Sequence, residues 1–228
     1  MRNIAVILAG GVGSRMGLDY PKQFASLSGR TVIEYSISAF NSHPDIDEVA
    51  VVVHPQWRDK MQLIIDRNDW NKLTRILDGG AERHLSTLSA INAYRDTADC
   101  NLLLHDAARP LIDHNTISRV VEALKTREAV AVAVPSTDTI FKVENGTVAD
   151  IPPRSTMMCA QTPQAFRLDI LAEAYRLAQQ DSGFTTTDDC GAVLMYMPQV
   201  GIRIVEGTYA NIKITTPEDL KRAETLMK

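Results

Sequence analysis

The chain has 228 residues, of which 45% are hydrophobic and 23% are charged, and its formal net charge is −4. This composition excludes a disordered or fibrous protein, and the length suits one α/β domain with a substantial core. The acidic balance argues against general binding to nucleic acid or to an anionic membrane, although a local basic pocket could still hold phosphates. Cys100, Cys159 and Cys190 are odd in number and widely spaced, which favours reduced thiols in a cytoplasmic protein.

The first apolar run, residues 4–8, is too short to span a bilayer and enters a glycine turn without a cleavage-site pattern. No other run approaches the length of a membrane span. We therefore expect no membrane partner and a cytoplasmic location.

Strands and helices alternate through the first two-thirds of the chain, because β-branched runs are followed by segments with helical spacing of apolar residues. In chain order we predict a strand at 4–8, a helix at 31–40, a strand at 48–54, a helix at 55–67, a short strand at 75–77, a helix at 82–94, a strand at 101–105, a helix at 115–127, a strand at 130–134, a helix at 167–180, a strand at 202–205 and a helix at 217–227. This order predicts a three-layer, Rossmann-like α/β fold, with one mostly parallel sheet between helices and a single domain over 1–228. Ligands of such sheets bind at the carboxyl ends of the strands.

Residues 136–160 break this alternation. Two short β-like pieces, 139–143 and 147–151, flank the turn signal Glu144-Asn145-Gly146, and Pro152-Pro153 follows. We expect a β-hairpin arm that protrudes from the domain and mediates contacts in a homodimer.

A glycine-rich loop, Ala9-Gly10-Gly11-Val12-Gly13-Ser14-Arg15-Met16-Gly17, follows the first predicted strand. Glycines allow backbone N–H groups to approach phosphates closely. The loop is not a dinucleotide-binding fingerprint, because Met16 occupies the third glycine position and no suitable acidic residue follows. It is not a Walker A loop either, since no Gly-Lys-Ser/Thr follows. Arg15 and Lys22 add cations, so the segment predicts a phosphate-binding site.

The loop and the following Pro21-Lys22-Gln23-Phe24 resemble the signature of sugar-nucleotide pyrophosphorylases. More narrowly, the chain resembles the cytidylyltransferases that act on 2-C-methyl-D-erythritol 4-phosphate or D-ribitol 5-phosphate. The resemblance continues in order through Gly79-Gly80-x-x-Arg83-x-x-Ser86, His105-Asp106-Ala107-Ala108-Arg109-Pro110, Pro135-x-x-Asp138-Thr139, Gln161-Thr162-Pro163-Gln164-Ala165-Phe166, Thr187-Asp188-Asp189 and Asn211-Ile212-Lys213-x-Thr215-Thr216-Pro217-Glu218-Asp219-Leu220. It implies the fold of the nucleotide-diphospho-sugar transferases and the transfer of CMP from CTP to a polyol or sugar phosphate, with release of pyrophosphate.

In this reaction a phosphate oxygen attacks the α-phosphorus of CTP, so the protein must neutralise converging negative charge rather than supply a strong base. The resemblance implies that Arg15, Lys22 and Lys213 carry out this catalytic role. Asp106 ends an apolar strand and is the expected ligand of Mg²⁺, while Asp138, Asp188 and Asp189 are weaker metal candidates. We expect His105 to pack or hydrogen-bond beside the strand end rather than to catalyse.

The resemblance also divides the remaining site residues between the two substrates. The expected nucleotide-binding residues are Leu8, Ala9, Gly10, Gly11, Gly13, Ser14, Gly79, Gly80, Arg83, Ser86 and Ala107. The expected acceptor-binding residues are Arg109, Thr139, Arg154, Thr162 and Thr187. In the resembling family the hairpin arm exchanges between protomers, so Arg154 is expected to reach the neighbouring protomer's acceptor.

Local departures from the erythritol-phosphate pattern favour D-ribitol 5-phosphate as the acceptor. They are Leu8-Ala9-Gly10-Gly11, Met157-Met158-Cys159-Ala160 and Ile151-Pro152-Pro153-Arg154-Ser155. Ala108 favours the alternative acceptor, 2-C-methyl-D-erythritol 4-phosphate. Alternatives from other classes are an NAD-dependent oxidoreductase, opposed by the missing third glycine and the missing acidic residue for the ribose, and a non-catalytic nucleotide-binding module, opposed by the intact cations.

Overall fold

The structure, a computed structural model, describes residues 1–11, 19–80 and 82–228. The strands are β1 (Arg2–Ala9), β2 (Ser26–Leu27), β3 (Arg30–Thr31), β4 (Glu48–Val53), β5 (Leu73–Asp78), β6 (Cys100–Asp106), β7 (Ala129–Pro135), β8 (Lys142–Glu144), β9 (Thr147–Asp150), β10 (Met158–Arg167) and β11 (Ile202–Glu206). The helices are α1 (Val32–Asn41), α2 (Arg58–Asp66), α3 (Arg83–Tyr94), α4 (His114–Leu124), α5 (Leu168–Ala178), α6 (Asp189–Tyr196) and α7 (Pro217–Leu226).

The central sheet of the described chain has seven strands in the order β11-β7-β10-β6-β1-β4-β5. Neighbouring strands are parallel except at β10, which lies antiparallel between β6 and β7. The predicted mostly parallel α/β sheet is therefore confirmed. Strands β2, β3 and β10 and helix α6 were not predicted from the sequence.

Helices cover both faces of the sheet, because the central strands carry apolar side chains on both sides. Along β1, Ala5 and Ile7 face a core with α1, α2 and α4, whereas Ile4 and Val6 face a core with α3, α5 and α6. All four residues are completely buried. A smaller cluster packs α7 against the β2–β3 hairpin, through Ala223 and Leu27 among others.

The direction in which successive strands are added to the sheet reverses beside β1, which is therefore the topological switch point of the sheet. From β1 the chain crosses to β4 and β5 on one side, and then returns to β6 on the other side. Because β1 and β6 are parallel neighbours, with Leu8 opposite Asp106, their carboxyl ends open at the same edge of the sheet. Ligands of open α/β sheets bind at such a point.

Strands β8 and β9 form the predicted hairpin, separate from the central sheet. Its turn residues Asn145 and Gly146 have φ angles of 51° and 76°, as a two-residue hairpin turn requires. Residues 137–151 are all exposed, and Phe141, Val143 and Ile151 leave 54%, 57% and 56% of their surface uncovered. In the part of the chain described here, no helix is both long and apolar enough to cross a membrane.

Candidate active site

A cleft opens at the carboxyl ends of β1 and β6. It is lined by Leu8, Ala9, Gly10, Gly11, Lys22, Gln23, Arg83, Ser86, Asp106, Ala107, Ala108, Lys213 and Thr215. The predicted catalytic residues Lys22 and Lys213, the predicted metal ligand Asp106 and most of the predicted nucleotide-binding residues are thus brought together. The predictions for Gly13, Ser14 and Arg15 concern residues outside the described ranges.

Small residues allow two loops to approach closely on one side of the cleft. A Cβ on Gly10 would lie 2.4 Å from Ser86 Oγ, and one on Gly79 would lie 3.0 Å from Gly10 Cα. Gly79 also donates its N–H to Val53 O at 2.7 Å. Glycine is therefore required here for the close packing of β1, β5 and α3, and Ser86 is buried at the contact.

Gln23 ties the beginning of the glycine-rich loop to the turn that carries Lys22. Its Nε2 donates to Ala9 O at 2.6 Å and to Gly11 O at 3.1 Å, and the side chain is buried. Gln23 was not among the predicted site residues, although it lies in the motif Pro21-Lys22-Gln23-Phe24. These two hydrogen bonds fix the position of the β1 end relative to Lys22.

Asp106 lies at the centre of a cluster of cations. Its carboxylate is 2.7 Å from Lys213 Nζ, 3.5 Å from Arg83 Nε and 3.8 Å from Arg109 Nε. Burial alone would raise the pKa of Asp106, but Lys213, Arg83 and Arg109 hold it well below its usual range. The carboxylate is therefore ionised at neutral pH, and the cleft carries a local positive excess although the whole chain is acidic.

Arg83 joins Asp106 to a second buried carboxylate. Arg83 Nη1 is 2.6 Å from Asp189 Oδ2, and Asp189 is fully buried. Burial acts to lower the pKa of Arg83, but Asp189 and Asp106 together raise it above its ordinary value. Asp189 was a weak metal candidate in the sequence analysis, and the structure places it against Arg83.

His105 stabilises the end of β6, as expected for a packing residue. Its Nε2 lies 3.0 Å from Arg109 O, which can only accept, so Nε2 carries the proton. The Thr162 hydroxyl lies 3.1 Å from His105 Nδ1 and accepts the Asp106 N–H at 3.0 Å. Burial lowers the pKa of His105 to about 4, so the ring is neutral at neutral pH.

The predicted acceptor-binding residues fall into two groups. Arg109 and Thr162 lie beside Asp106: Arg109 Nη1 donates to Asn211 O at 2.7 Å, and Thr162 is buried against His105. Thr139, Arg154 and Thr187 are exposed. Arg154 Nη1 donates to Thr137 O at 3.3 Å at the base of the arm.

Whether the cleft suits a divalent cation depends on Asp106, the carboxylate among its lining residues. Among the residues that the structure describes, no group of three or more His, Cys, Asp or Glu side chains could hold a metal on its own. Mg²⁺ is commonly held by one or two carboxylates together with substrate phosphates. Asp106, a single carboxylate among the cations of the cleft, fits that pattern.

A cationic cleft at the switch point of a mostly parallel sheet defines an α/β protein that binds a phosphorylated ligand, of the kind that binds nucleotides. The comparisons with known proteins specify this class further. The family model described as IspD, 2-C-methyl-D-erythritol 4-phosphate cytidylyltransferase, matches residues 3–228.

Individual relatives are similar in sequence to this chain over its whole length. A 2-C-methyl-D-erythritol 4-phosphate cytidylyltransferase from Thermobifida fusca is 45% identical, covering 100% of this chain and 94% of that protein. The bifunctional ribulose 5-phosphate reductase/CDP-ribitol pyrophosphorylase Bcs1 from Haemophilus influenzae is 43% identical, covering 100% of this chain but 48% of that protein. This chain therefore spans about half the length of that relative.

Solved structures share the fold. The 4-diphosphocytidyl-2C-methyl-D-erythritol synthase from Anaerococcus prevotii has a TM-score of 0.87 at 28% identity, covering 99% of this chain and 98% of that one. The 2-C-methyl-D-erythritol 4-phosphate cytidylyltransferase from Francisella tularensis has a TM-score of 0.83 at 28% identity, covering 99% and 100%. The chain belongs to the IspD family and is a cytidylyltransferase, a class of nucleotidyltransferase. The predicted family is confirmed, and the oxidoreductase and non-catalytic readings are set aside.

Proposed function

We propose that this cytidylyltransferase transfers CMP from CTP to 2-C-methyl-D-erythritol 4-phosphate and releases pyrophosphate. The observation that carries the proposal is the match of the family model to residues 3–228. The relative from Thermobifida fusca, at 45% identity, supports it. The comparisons thus support the alternative acceptor better than D-ribitol 5-phosphate, which the sequence analysis favoured.

The arrangement of charge in the cleft suits this reaction. The attacking group is already a phosphate anion, so the chain's task is to neutralise and align the reacting phosphates. In the proposal Lys22 and Lys213, together with Arg15, stabilise the charge that develops on the α-phosphate and on the leaving pyrophosphate. Asp106, 2.7 Å from Lys213 Nζ, orients that lysine.

Asp106 is also the proposed ligand of Mg²⁺. A bound Mg²⁺ would neutralise charge on the triphosphate. The carboxylate is available as a hard oxygen ligand because it is ionised at neutral pH.

The nucleotide is proposed to lie along the predicted residues that line the cleft, with its base towards Gly79, Gly80 and Ser86. The acceptor is proposed to contact Arg109 and Thr162 beside Asp106. Exposed Thr139, Arg154 and Thr187 are proposed to complete the acceptor site.

We further propose that two copies exchange their hairpin arms. The uncovered apolar side chains of the arm support this, since such a surface is favourable to bury against another chain. Arg154, at the base of the arm, would then serve the acceptor phosphate of the neighbouring protomer.

D-Ribitol 5-phosphate is the second candidate acceptor. The similarity to Bcs1, at 43% identity, favours it. The local departures around Leu8–Gly11 and in the segment before Gln161 favour it as well.

Pyrophosphate release tests the proposal. Purified protein with CTP and Mg²⁺ is given 2-C-methyl-D-erythritol 4-phosphate, D-ribitol 5-phosphate or no acceptor. We expect rapid release with the first acceptor, little with the second and none without an acceptor. Faster release with D-ribitol 5-phosphate would overturn the proposed acceptor, and no release with either would overturn the proposed reaction.

A further inference from the structure

Asp189 is a fully buried carboxylate to which the proposed reaction gives no role. Its two oxygens have different partners. Oδ2 lies 2.6 Å from Arg83 Nη1, whereas Oδ1 accepts from Thr87 Oγ1 at 2.8 Å and from the Tyr175 hydroxyl at 2.6 Å. A buried carboxylate is costly unless it is paired and hydrogen-bonded, and these three partners meet that requirement.

Arg83 lies between Asp189 and the cleft. One edge of its guanidinium faces Asp189 at 2.6 Å, and its Nε faces Asp106 Oδ1 at 3.5 Å. The ion pair with Asp189 is the shorter of the two contacts, so it is the stronger restraint on the guanidinium group. A planar guanidinium held at one edge has little freedom to turn.

Asp189 is itself held rigidly by the neighbouring strand. Its N–H donates to Gln164 Oε1 at 3.0 Å, and Gln164 Nε2 donates to Asp188 Oδ2 at 2.7 Å. Asp188 caps α6 by accepting the Gly191 N–H at 2.8 Å. Strand β10 thus fixes the start of α6, and the start of α6 fixes Arg83.

We infer that Asp189 is a positioning residue, which holds Arg83 in the orientation that binds the nucleotide. The inference rests on the proposed function, because it assigns Arg83 to the CTP site. Asp189 is fully buried and its Oδ2 is ion-paired with Arg83, so Asp189 acts through Arg83 rather than by touching the nucleotide.

Asp189→Asn tests the inference. Two donors converge on Oδ1, so the amide oxygen will take that position and the amide nitrogen will face Arg83. The substitution therefore breaks the contact with Arg83 and keeps those with Thr87 and Tyr175. We expect the Kd for CTP, measured by titration calorimetry, and the KM for CTP to rise about 10-fold, with the KM for the acceptor within about 2-fold of wild type.

A double-mutant cycle separates positioning from a general loss of stability. Arg83→Ala should weaken CTP binding at least as much as Asp189→Asn, and the double variant should bind no more weakly than Arg83→Ala alone. Thr87→Val is the matched control, because it removes a donor from the opposite oxygen of Asp189. It should leave the Kd for CTP within about 2-fold of wild type.

Arg83→Lys supplies a second test, which leaves the buried carboxylate intact if Asp189→Asn does not fold. Lysine keeps the charge but cannot contact Asp189 and Asp106 with one planar group. A Kd for CTP close to that of Arg83→Ala supports positioning, and a Kd close to wild type overturns it. Unchanged CTP affinity in folded Asp189→Asn would overturn the inference as well. If the wild type binds CTP but turns over neither acceptor, the proposed reaction fails while these binding comparisons still decide the inference.

Discussion

Lys22 and Lys213 reach the cleft from opposite ends of the chain. Lys22 lies in a short turn after the glycine-rich loop, and Lys213 lies just before α7. Both line the cleft, and Lys213 is in contact with Asp106. Charges held in place before the reaction stabilise a developing anion most effectively, because they need no reorganisation.

Lys22→Ala should lower kcat by about 100-fold or more, the scale expected for losing one preorganised charge contact. The measurement is pyrophosphate release at saturating CTP and acceptor. Lys125→Ala is the control, because Lys125 is 65% exposed, pairs with Glu122, and lies next to the amino-terminal end of β7, away from the cleft. Unchanged turnover in Lys22→Ala would contradict the role given to this lysine.

The buried ring of His105 makes the stability of the fold depend on pH. Its pKa is lowered to about 4 by burial, so the unfolded chain binds a proton first as the pH falls below about 6.5. The contribution of the neutral His105 ring to the free energy of unfolding is therefore complete above about pH 6.5. It is lost progressively as the pH falls to about 4.

His105→Gln removes this titration. Between pH 7 and pH 5 the wild type should lose about 2 kcal/mol more of its unfolding free energy than the variant does. Urea unfolding at both pH values measures the difference. Equal losses in the two proteins would show that His105 is protonated in the folded state as readily as in the unfolded state.

At the scale of the elements, α1 begins with a capping box. Glu34 accepts from Thr31 N at 2.7 Å, and it also pairs with Arg67 Nη2 at 2.7 Å and accepts from Asn68 Nδ2 at 3.1 Å. Burial acts to raise the pKa of Glu34, but these hydrogen bonds outweigh it and lower the pKa to about 2. Glu34 thus joins the start of α1 to the end of α2.

Glu34→Gln should reduce the free energy of unfolding at pH 7 by about 1–2 kcal/mol. Because the folded pKa is depressed, this contribution is present above the unfolded pKa of about 4.5 and is lost as the pH falls towards about 2. Chemical unfolding at pH 7 and at pH 3 tests both statements. Glu224→Gln, on the exposed face of α7, is the control and should change little.

The elements that the sequence predicts well are those with an unbroken pattern. Strand β10 was missed because Pro163 lies within it, and proline normally argues against an internal strand. The structure explains the exception, since the pairing of β10 with β7 shifts register between Ala160 and Gln164, so Pro163 falls where the ladder is interrupted. Helix α6 is short, and its N-cap, Asp188, was the available signal.

The site could be predicted for a related reason. Each predicted segment of the cleft follows a strand, and the carboxyl ends of parallel strands meet at one edge. The contact between Arg83 and Asp189 could not be predicted, because the two residues are far apart in sequence and come together through the antiparallel strand that was missed. Gln23 likewise binds backbone atoms, which leave no trace in a side-chain pattern.

At the scale of the whole molecule, the acidic chain gathers Lys22, Arg83 and Lys213 around one cleft, and its exposed hairpin lies apart from the central sheet. Exchange of arms predicts complementation between two inactive variants. Lys22→Ala removes a residue of the cleft, and Arg154→Ala removes one that is proposed to serve the partner. A mixed dimer would then contain one intact site.

Equal amounts of the two variants, unfolded together and refolded, should recover about a quarter of wild-type turnover, because about half of the dimers are mixed and each has one intact site. Each variant refolded alone is the control. Sedimentation of the mixture confirms that dimers form. Recovery no greater than the sum of the separate variants would show that Arg154 serves its own chain or neither.

The central claim is that CMP is transferred to 2-C-methyl-D-erythritol 4-phosphate. The most direct measurement is a competition between the two acceptors in one tube. The mixture contains Mg²⁺, limiting CTP and equal concentrations of 2-C-methyl-D-erythritol 4-phosphate and D-ribitol 5-phosphate. The two cytidine diphosphate products are then quantified by mass spectrometry. The product ratio reports the ratio of kcat/KM for the two acceptors. We predict that the erythritol product exceeds the ribitol product by about 100-fold or more. A predominance of CDP-ribitol would contradict the claim.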